Sequence, residues 1–460
     1  MAQSEEAAGE IDELEDARDE AAAAASEALR ARLEEMAEQQ RGRSVSVSGK
    51  GGPALFSIDG DCLRLAVATL PSASGEVGFS VTAGRTDITV SGEDWRYWVS
   101  LPSDNNLAEG EVCHFAAKYE QMSRLAAIRP WNASKAGIHK TDPHRPRAPA
   151  EKQTPFIYDF TFSPISEELV VVHDRTTIRL PAATAAEPPI SLGVPDRSQE
   201  FGSTPVRMAL NALCAFAPER NQPVAEQFQR VWLSHDTAQG GTHMRWCVVN
   251  LKYPCGISLC LTWPTARKIK SALARMNRGK VTLEQRGENN VITDGVVSFS
   301  FRQVQGNAPD FPLAPHRSLA ASFPLAGEEN VSRLFAADLY DKPRPTLPLG
   351  VAIEDGAELR LTLPVDKIVR GGVIVVKATD PDVGAASGPE EPVALNVALP
   401  TFLRAVRKRP GNDVALEIWL GEKRGPALVV RGEDEELVYR VILSALSDQG
   451  TSRDKGRGRP

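Results

Sequence analysis

The chain has 460 residues, 42% of them hydrophobic and 25% charged, with a formal net charge of −7. This is the composition of an ordinary globular protein and excludes wholesale disorder, a collagen repeat and a disulfide-dense mini-protein. No run of about 18 apolar residues predicts a membrane span, the opening MAQSEEAAGEIDELEDARDE lacks the basic and apolar regions of a secretory signal, and six cysteines without a CxxC pair fit a reducing, cytoplasmic setting.

Charge is unevenly placed. Residues 1–40 hold 13 acids against Arg18, Arg30 and Arg32, a net of −10, so the remaining 420 residues carry +3. Residues 11–40 lack Pro and Gly and are rich in Ala, Glu, Leu and Arg, which predicts a helix. Its apolar positions Leu14, Ala21, Ala25, Leu29, Leu33 and Met36 form a weak, Ala-heavy stripe, read as an exposed or partly disordered extension rather than a coiled-coil module. Strand-like runs follow at Leu63–Ala68, Phe156–Phe162, Glu168–His173, Met244–Leu251, Ile257–Trp263, Val296–Val304, Val373–Ala378, Val414–Leu420 and Leu437–Leu446. They are short, rich in Val and Leu, and bounded by turn residues, predicting a mostly antiparallel β body with few helices. A Pro-rich basic loop at 129–155 and a basic tail, QGTSRDKGRGRP, lie outside that pattern.

The body is self-similar. In two places an apolar strand runs into Pro-Thr (Pro264-Thr265, Pro400-Thr401), then a basic helix, a Gly stop and a Val-x-Leu-Glu strand (Val281 to Glu284, Val414 to Glu417). Pro suits the first helical turn, where its missing N–H has no partner. A further helix precedes each unit, at Val206–Ala217 and Glu329–Tyr340, so the unit recurs at about 135 residues. A looser third copy fits residues 42–195, with Val112–Ile128 as its second helix. The helix at 264–278 carries Arg267, Lys268, Lys270, Arg275 and Arg278 and no acid, opposite an apolar stripe of Ala266, Ile269, Leu273 and Met276. The second carries Arg404, Arg407, Lys408 and Arg409 outside Phe402, Leu403 and Val406. Cations without acids at equivalent places fit phosphates bound without base reading; solvated outer faces are the plainer alternative.

Three passages resemble the bacterial sliding clamp, the β subunit of DNA polymerase III. One is 296–311, with its strand and its Gly306, Pro309, Asp310, Phe311 link. Another is 393–406, where Asn396 precedes a short helix containing Phe402 and Leu403. The last is the closing hairpin at 426–446. The resemblance implies an α+β, β-rich fold of three repeated clamp-type domains, with antiparallel sheets outside and paired helices inside. Placed on this chain, it gives an acidic extension at 1–41, domains at 42–197, 198–316 and 317–447, and a basic tail at 448–460. It implies a head-to-tail homodimeric ring around duplex DNA and a processivity factor rather than an enzyme, with no cofactor. Polymerase, clamp loader or repair partners would attach by short hydrophobic peptides. The alternative is a clamp-fold interaction or regulatory module that forms no ring. The DNA-facing residues implied are Arg267, Lys268, Lys270, Arg275, Arg278, Arg404, Arg407, Lys408 and Arg409; the peptide pocket implied is Leu251, Pro315, Val441, Ile442 and Leu443.

Departures are plain. The family's Thr-Asp-Gly-x-Arg-Leu element is replaced by Asn250–Gly256, while a look-alike, Asp59-Gly60-Asp61-Cys62-Leu63-Arg64-Leu65, stands in the first copy. The Met-Pro-Met-like ending is replaced by Ile442-Leu443-Ser444-Ala445. No phosphate-binding Gly loop, GxSxG or HExxH occurs. The nearest metal-like set, His243, Cys247, Cys255 and Cys260, lies in apolar runs where buried thiols are expected.

Overall fold

The structure is a computed structural model. It describes residues 2–40, 53–71, 75–92, 94–128, 156–173, 176–185, 194–218, 225–276, 279–306, 318–324, 347–354, 358–363, 372–377, 393–407, 414–419 and 426–445. The chain opens with helix α1 (Ala2–Gln40). After it, one order of elements recurs, complete five times among the described residues: a strand, a helix, then three antiparallel strands. The first unit is β1 (Ala54–Asp59), α2 (Gly60–Thr69), β2 (Glu76–Thr82), β3 (Arg85–Ser91) and β4 (Trp95–Pro102), followed by the two-residue β5 (Asp104–Asn105). The second is β6 (Val112–Lys118), α3 (Tyr119–Ala126), β7 (Ile157–Ser163), β8 (Glu168–His173) and β9 (Thr176–Thr184). The third is β10 (Arg197–Gly202), α4 (Ser203–Cys214), β11 (Arg230–Leu233), β12 (Thr237–Gly241) and β13 (Arg245–Leu251). The fourth is β14 (Leu259–Thr262), α5 (Trp263–Arg275), β15 (Lys280–Arg286), β16 (Asn289–Thr293) and β17 (Val297–Arg302). The fifth is β18 (Ser318–Pro324), β19 (Pro348–Glu354), β20 (Glu358–Leu363) and β21 (Gly372–Lys377); its helix position falls outside the described residues, with the helix expected at 329–340. The sixth is β22 (Val393–Ala398), α6 (Leu399–Arg407), β23 (Val414–Trp419), β24 (Ala427–Glu433) and β25 (Leu437–Ser444).

Two compact units hold these elements: Glu10–Ser203 with Ser271–Arg302, and Met1–Gly9 with Thr204–Lys270 and Gln303–Pro460. The first contains a 13-stranded sheet, ordered β10-β15-β16-β17-β4-β3-β2-β6-β9-β8-β7-β1-β5. The second contains an eight-stranded sheet, β14-β11-β12-β13-β25-β24-β23-β18, and a four-stranded one, β21-β20-β19-β22. Every ladder is antiparallel, as the short alternating runs predict. No helix among the described residues is long and apolar enough to cross a membrane.

Local sequence explains most of these elements. β23, Val-Ala-Leu-Glu-Ile-Trp, buries Val414, Leu416, Ile418 and Trp419 and leaves Ala415 and Glu417 half-exposed, following the pleat. In the compact unit that holds the 13-stranded sheet, Phe79, Phe115 and Phe162 form a continuous stack, with ring centroids 4.8 and 4.5 Å apart, and Phe56 stacks on Phe160 at 4.8 Å. One strand expectation is overturned: Leu63–Ala68 lies inside the helix α2. Its apolar residues Cys62, Leu63, Ala66, Val67 and Leu70 follow helical spacing, and the Asp59 carboxylate accepts from the N–H groups of Asp61 and Cys62 as an N-cap. The Asp59-Gly60-Asp61 look-alike is therefore a helix start. Gly60 is required there, because a Cβ would stand 2.1 Å from the Phe156 ring. The helix expected over Val112–Ile128 is divided: its first half is the strand β6, paired with β2 from Val112 to Lys118, and only Tyr119–Ala126 is helical.

Candidate nucleic-acid interface

Helix α5 begins as Pro264 predicts, with Thr262 Oγ1 accepting from the Thr265 N–H and Trp263 Nε1 donating to the Phe228 carbonyl at 2.9 Å. Ala266, Ile269, Leu273 and Met276 are all buried, at 0–2% exposure, so the helix is pinned along the expected stripe. Arg267, Lys268 and Lys270 are half-buried beside that stripe. Helix α6 buries Phe402, Leu403, Ala405 and Val406, and Tyr439 Oη donates to the Ala405 carbonyl at 3.0 Å. Arg404 is half-buried and donates to the carbonyl of Ala215, just past the end of α4 (3.4 Å). A cation is stabilised at a helix C-terminus, where carbonyls lack partners. Arg407 lies on α6, and Arg278, Lys408 and Arg409 lie outside the described residues.

Arg275 departs from the expected set. It is 4% exposed, its Nη2 is 3.0 Å from Asp19 Oδ1, and its guanidinium lies over the Tyr97 ring at 5.8 Å. A guanidinium committed to a carboxylate and an aromatic face does not meet a phosphate while that contact holds. The partner lies 256 positions away on α1, which the sequence reading takes for an exposed or disordered extension. On α1 Ala22, Ser26 and Leu29 are buried, and Asp19, Leu33 and Met36 are half-buried in line with them, at alternating intervals of three and four; Ala21 is exposed and Ala25, off that line, is half-buried. Two small side chains at its middle permit close approach, and the interval pattern was the available signal.

The described residues expected at the peptide pocket lie on β13 and β25. Leu251, Val441, Ile442 and Leu443 are all under 7% exposed, and Pro315 is outside the described residues. Val441 faces Cys247 and Ile442 faces Trp246 across the β13–β25 ladder, and adjacent strand residues point to opposite sides. Ile442 therefore enters a cluster with Phe228, Trp232, Trp246 and Trp419, away from the side taken by Val441 and Leu443. The pleat separates the two sides, and register decides which partners each one meets. Of the metal-like set, Cys247, Cys255 and Cys260 are buried thiols that desolvation pushes up, and no cluster of three or more possible metal ligands occurs among the described residues.

No protein-family model and no curated protein matches the sequence. Solved structures do match by shape. The DNA polymerase III β subunit of Pseudomonas aeruginosa aligns with a TM-score of 0.63 at 10% identity, covering 85% of this chain and 100% of that one. The sliding clamp of Caulobacter crescentus gives 0.63 at 12%, covering 85% and 99%, and the Helicobacter pylori β clamp in complex with 5-chloroisatin gives 0.58 at 14%, covering 85% and 100%. With the recurring strand–helix–strands order and the basic helices already described, these likenesses establish that the chain has the fold of the bacterial DNA polymerase III β subunit, the sliding clamp.

Proposed function

We propose that this chain is a sliding clamp: a cytoplasmic, non-enzymatic homodimeric ring that encircles duplex DNA without reading its sequence and tethers polymerase, clamp-loader or repair partners through short hydrophobic peptides. The observation that carries the reading is a seam left open. β4, the last strand of the first unit, pairs with β17, the last strand of the fourth; β13, last of the third, pairs with β25, last of the sixth. By the same step of three, β21, last of the fifth, takes β9 of a second copy. Among the described residues β21 pairs only with β20, and Thr176–Pro181 of β9 pairs only with β8. β21 exposes Val373 and Val375 at 59% and 46%, an edge of the kind that proteins cover by pairing. A head-to-tail seam of this type closes into a ring when the rotation fits, here at two copies.

Phosphate contacts are assigned to Arg267, Lys268, Lys270, Arg404 and Arg407, with Arg278, Lys408 and Arg409 extending the set. Binding by topology predicts a long lifetime on a closed circle and fast loss from the same DNA linearised with free ends. Equal lifetimes on both would overturn the ring. Substituting Val373→Lys and Val375→Lys is expected to convert the dimer to monomer in sedimentation at micromolar concentration. A dimer unaffected by both changes would place the interface elsewhere, and a monomeric parent would favour the interaction module.

A further inference from the structure

Helix α1 makes more of its contacts than an acidic tail needs. Asp19 receives Ser271 Oγ (2.6 Å) and Arg275 Nη2 (3.0 Å). Ser26 Oγ and Arg30 Nη2 both donate to the Arg275 carbonyl, and Arg30 also pairs with the buried Asp294. Arg32 Nη2 reaches Asp59, the N-cap of α2, at 3.0 Å, and Met36 Sδ lies 3.5 Å from Cys62 Sγ. The helix thus spans from the end of α5 to the start of α2 on the helix-bearing side of the 13-stranded sheet, where Tyr97 of β4 meets Arg275. Leu29 is fully buried by this docking. Glu20, Glu27 and Glu34, at seven-residue intervals, are exposed on the opposite side. The Pseudomonas aeruginosa clamp is covered over its whole length, whereas 15% of this chain lies outside that match.

We propose that α1 is a built-in competitor of DNA: docked, it withdraws Arg275 from the basic end of α5 and sets a row of carboxylates toward an approaching duplex; undocked, it releases Arg275 to a phosphate. This rests on the clamp reading of the helical faces. The interface suits reversal. Its middle is Ala22 and Ser26, its large apolar side chains are Leu29, Leu33 and Met36, and its ion pairs use arginines, whose fork suits a phosphate as well as a carboxylate.

The test uses the full chain and two variants. Glu20→Gln, Glu27→Gln and Glu34→Gln together remove the outward carboxylates without touching packed residues; Leu29→Glu undocks the helix. Equilibrium binding to nicked circular duplex at about 0.1 M salt is expected to tighten roughly threefold to tenfold in the triple variant, the screened effect of three like charges near the phosphates. Cys62 reports docking directly, since burial, with Asp59 nearby, pushes its thiol up to about 12 and Met36 covers it. Site-resolved alkylation of Cys62 is expected to be slow in the free chain and about tenfold faster in saturating duplex or in the Leu29→Glu variant. Salt-dependent binding by the parent, with the triple variant within twofold of it or with Cys62 equally protected in saturating duplex, overturns this inference and leaves the clamp reading standing. Absence of salt-dependent duplex binding by the parent and both variants overturns the clamp reading, and this inference with it.

Discussion

Reversing Arg267, Lys268 and Lys270 to Glu is expected to weaken duplex binding by roughly 10²-fold at physiological salt and to lower the slope of log affinity against log salt by about three. The three cations sit on one acid-free helix whose opposite stripe, Ala266, Ile269 and Leu273, is buried, so the helix stays pinned when the charges change. A retained circular dichroism spectrum and melting curve would show that the loss is electrostatic. The companion reversal of Arg404, Arg407 and Lys408 is expected to act in the same direction with a smaller gain in repulsion, because Arg404 already donates to the Ala215 carbonyl. Binding that keeps its affinity and its salt slope after both triple reversals would remove the helices α5 and α6 from any DNA interface. Arg275→Ala offers the contrast: its guanidinium is engaged by Asp19, so its loss should lower stability more than it lowers affinity.

The second large effect concerns the β13–β25 ladder. Trp246→Ala is expected to cost about 3–5 kcal/mol of stability, read as a lower midpoint in denaturant at unchanged slope. Trp246 is 1% exposed on β13, directly opposite Ile442 of β25, with its ring 6.0 Å from Trp232 and 6.2 Å from Phe228. The cavity left by an indole between two sheet strands cannot be closed by neighbours held in register by seven paired residues. Trp246→Phe should recover more than half of the loss. A Trp246→Ala protein as stable as the parent would mean that the β13–β25 ladder does not depend on this cluster.

Much of the fold is legible before any coordinates. Strands β8, β13, β23 and β25 lie within about two residues of where alternation and turn residues put them, because a half-buried strand writes its pleat into the sequence. The repeated Pro-Thr entry to α5 and α6 is equally local, since a first-turn Pro and an apolar stripe need no distant partner. Leu63–Ala68 misleads for a local reason: six mostly apolar residues satisfy both periods, and the deciding cap, Asp59, stands just outside the run.

The sequence by itself determined the β-rich class, the repeat, the two acid-free basic helices and the segregation of acid into the first 40 residues. All of these follow from periodicity and composition within short windows. Tertiary structure alone decided that Ile442 joins Phe228, Trp232, Trp246 and Trp419, that β21 keeps an open edge among the described strands, and that Asp19 claims Arg275. Each depends on strand register or on residues far apart in the chain, and such pairings leave no periodic mark on the segments that make them.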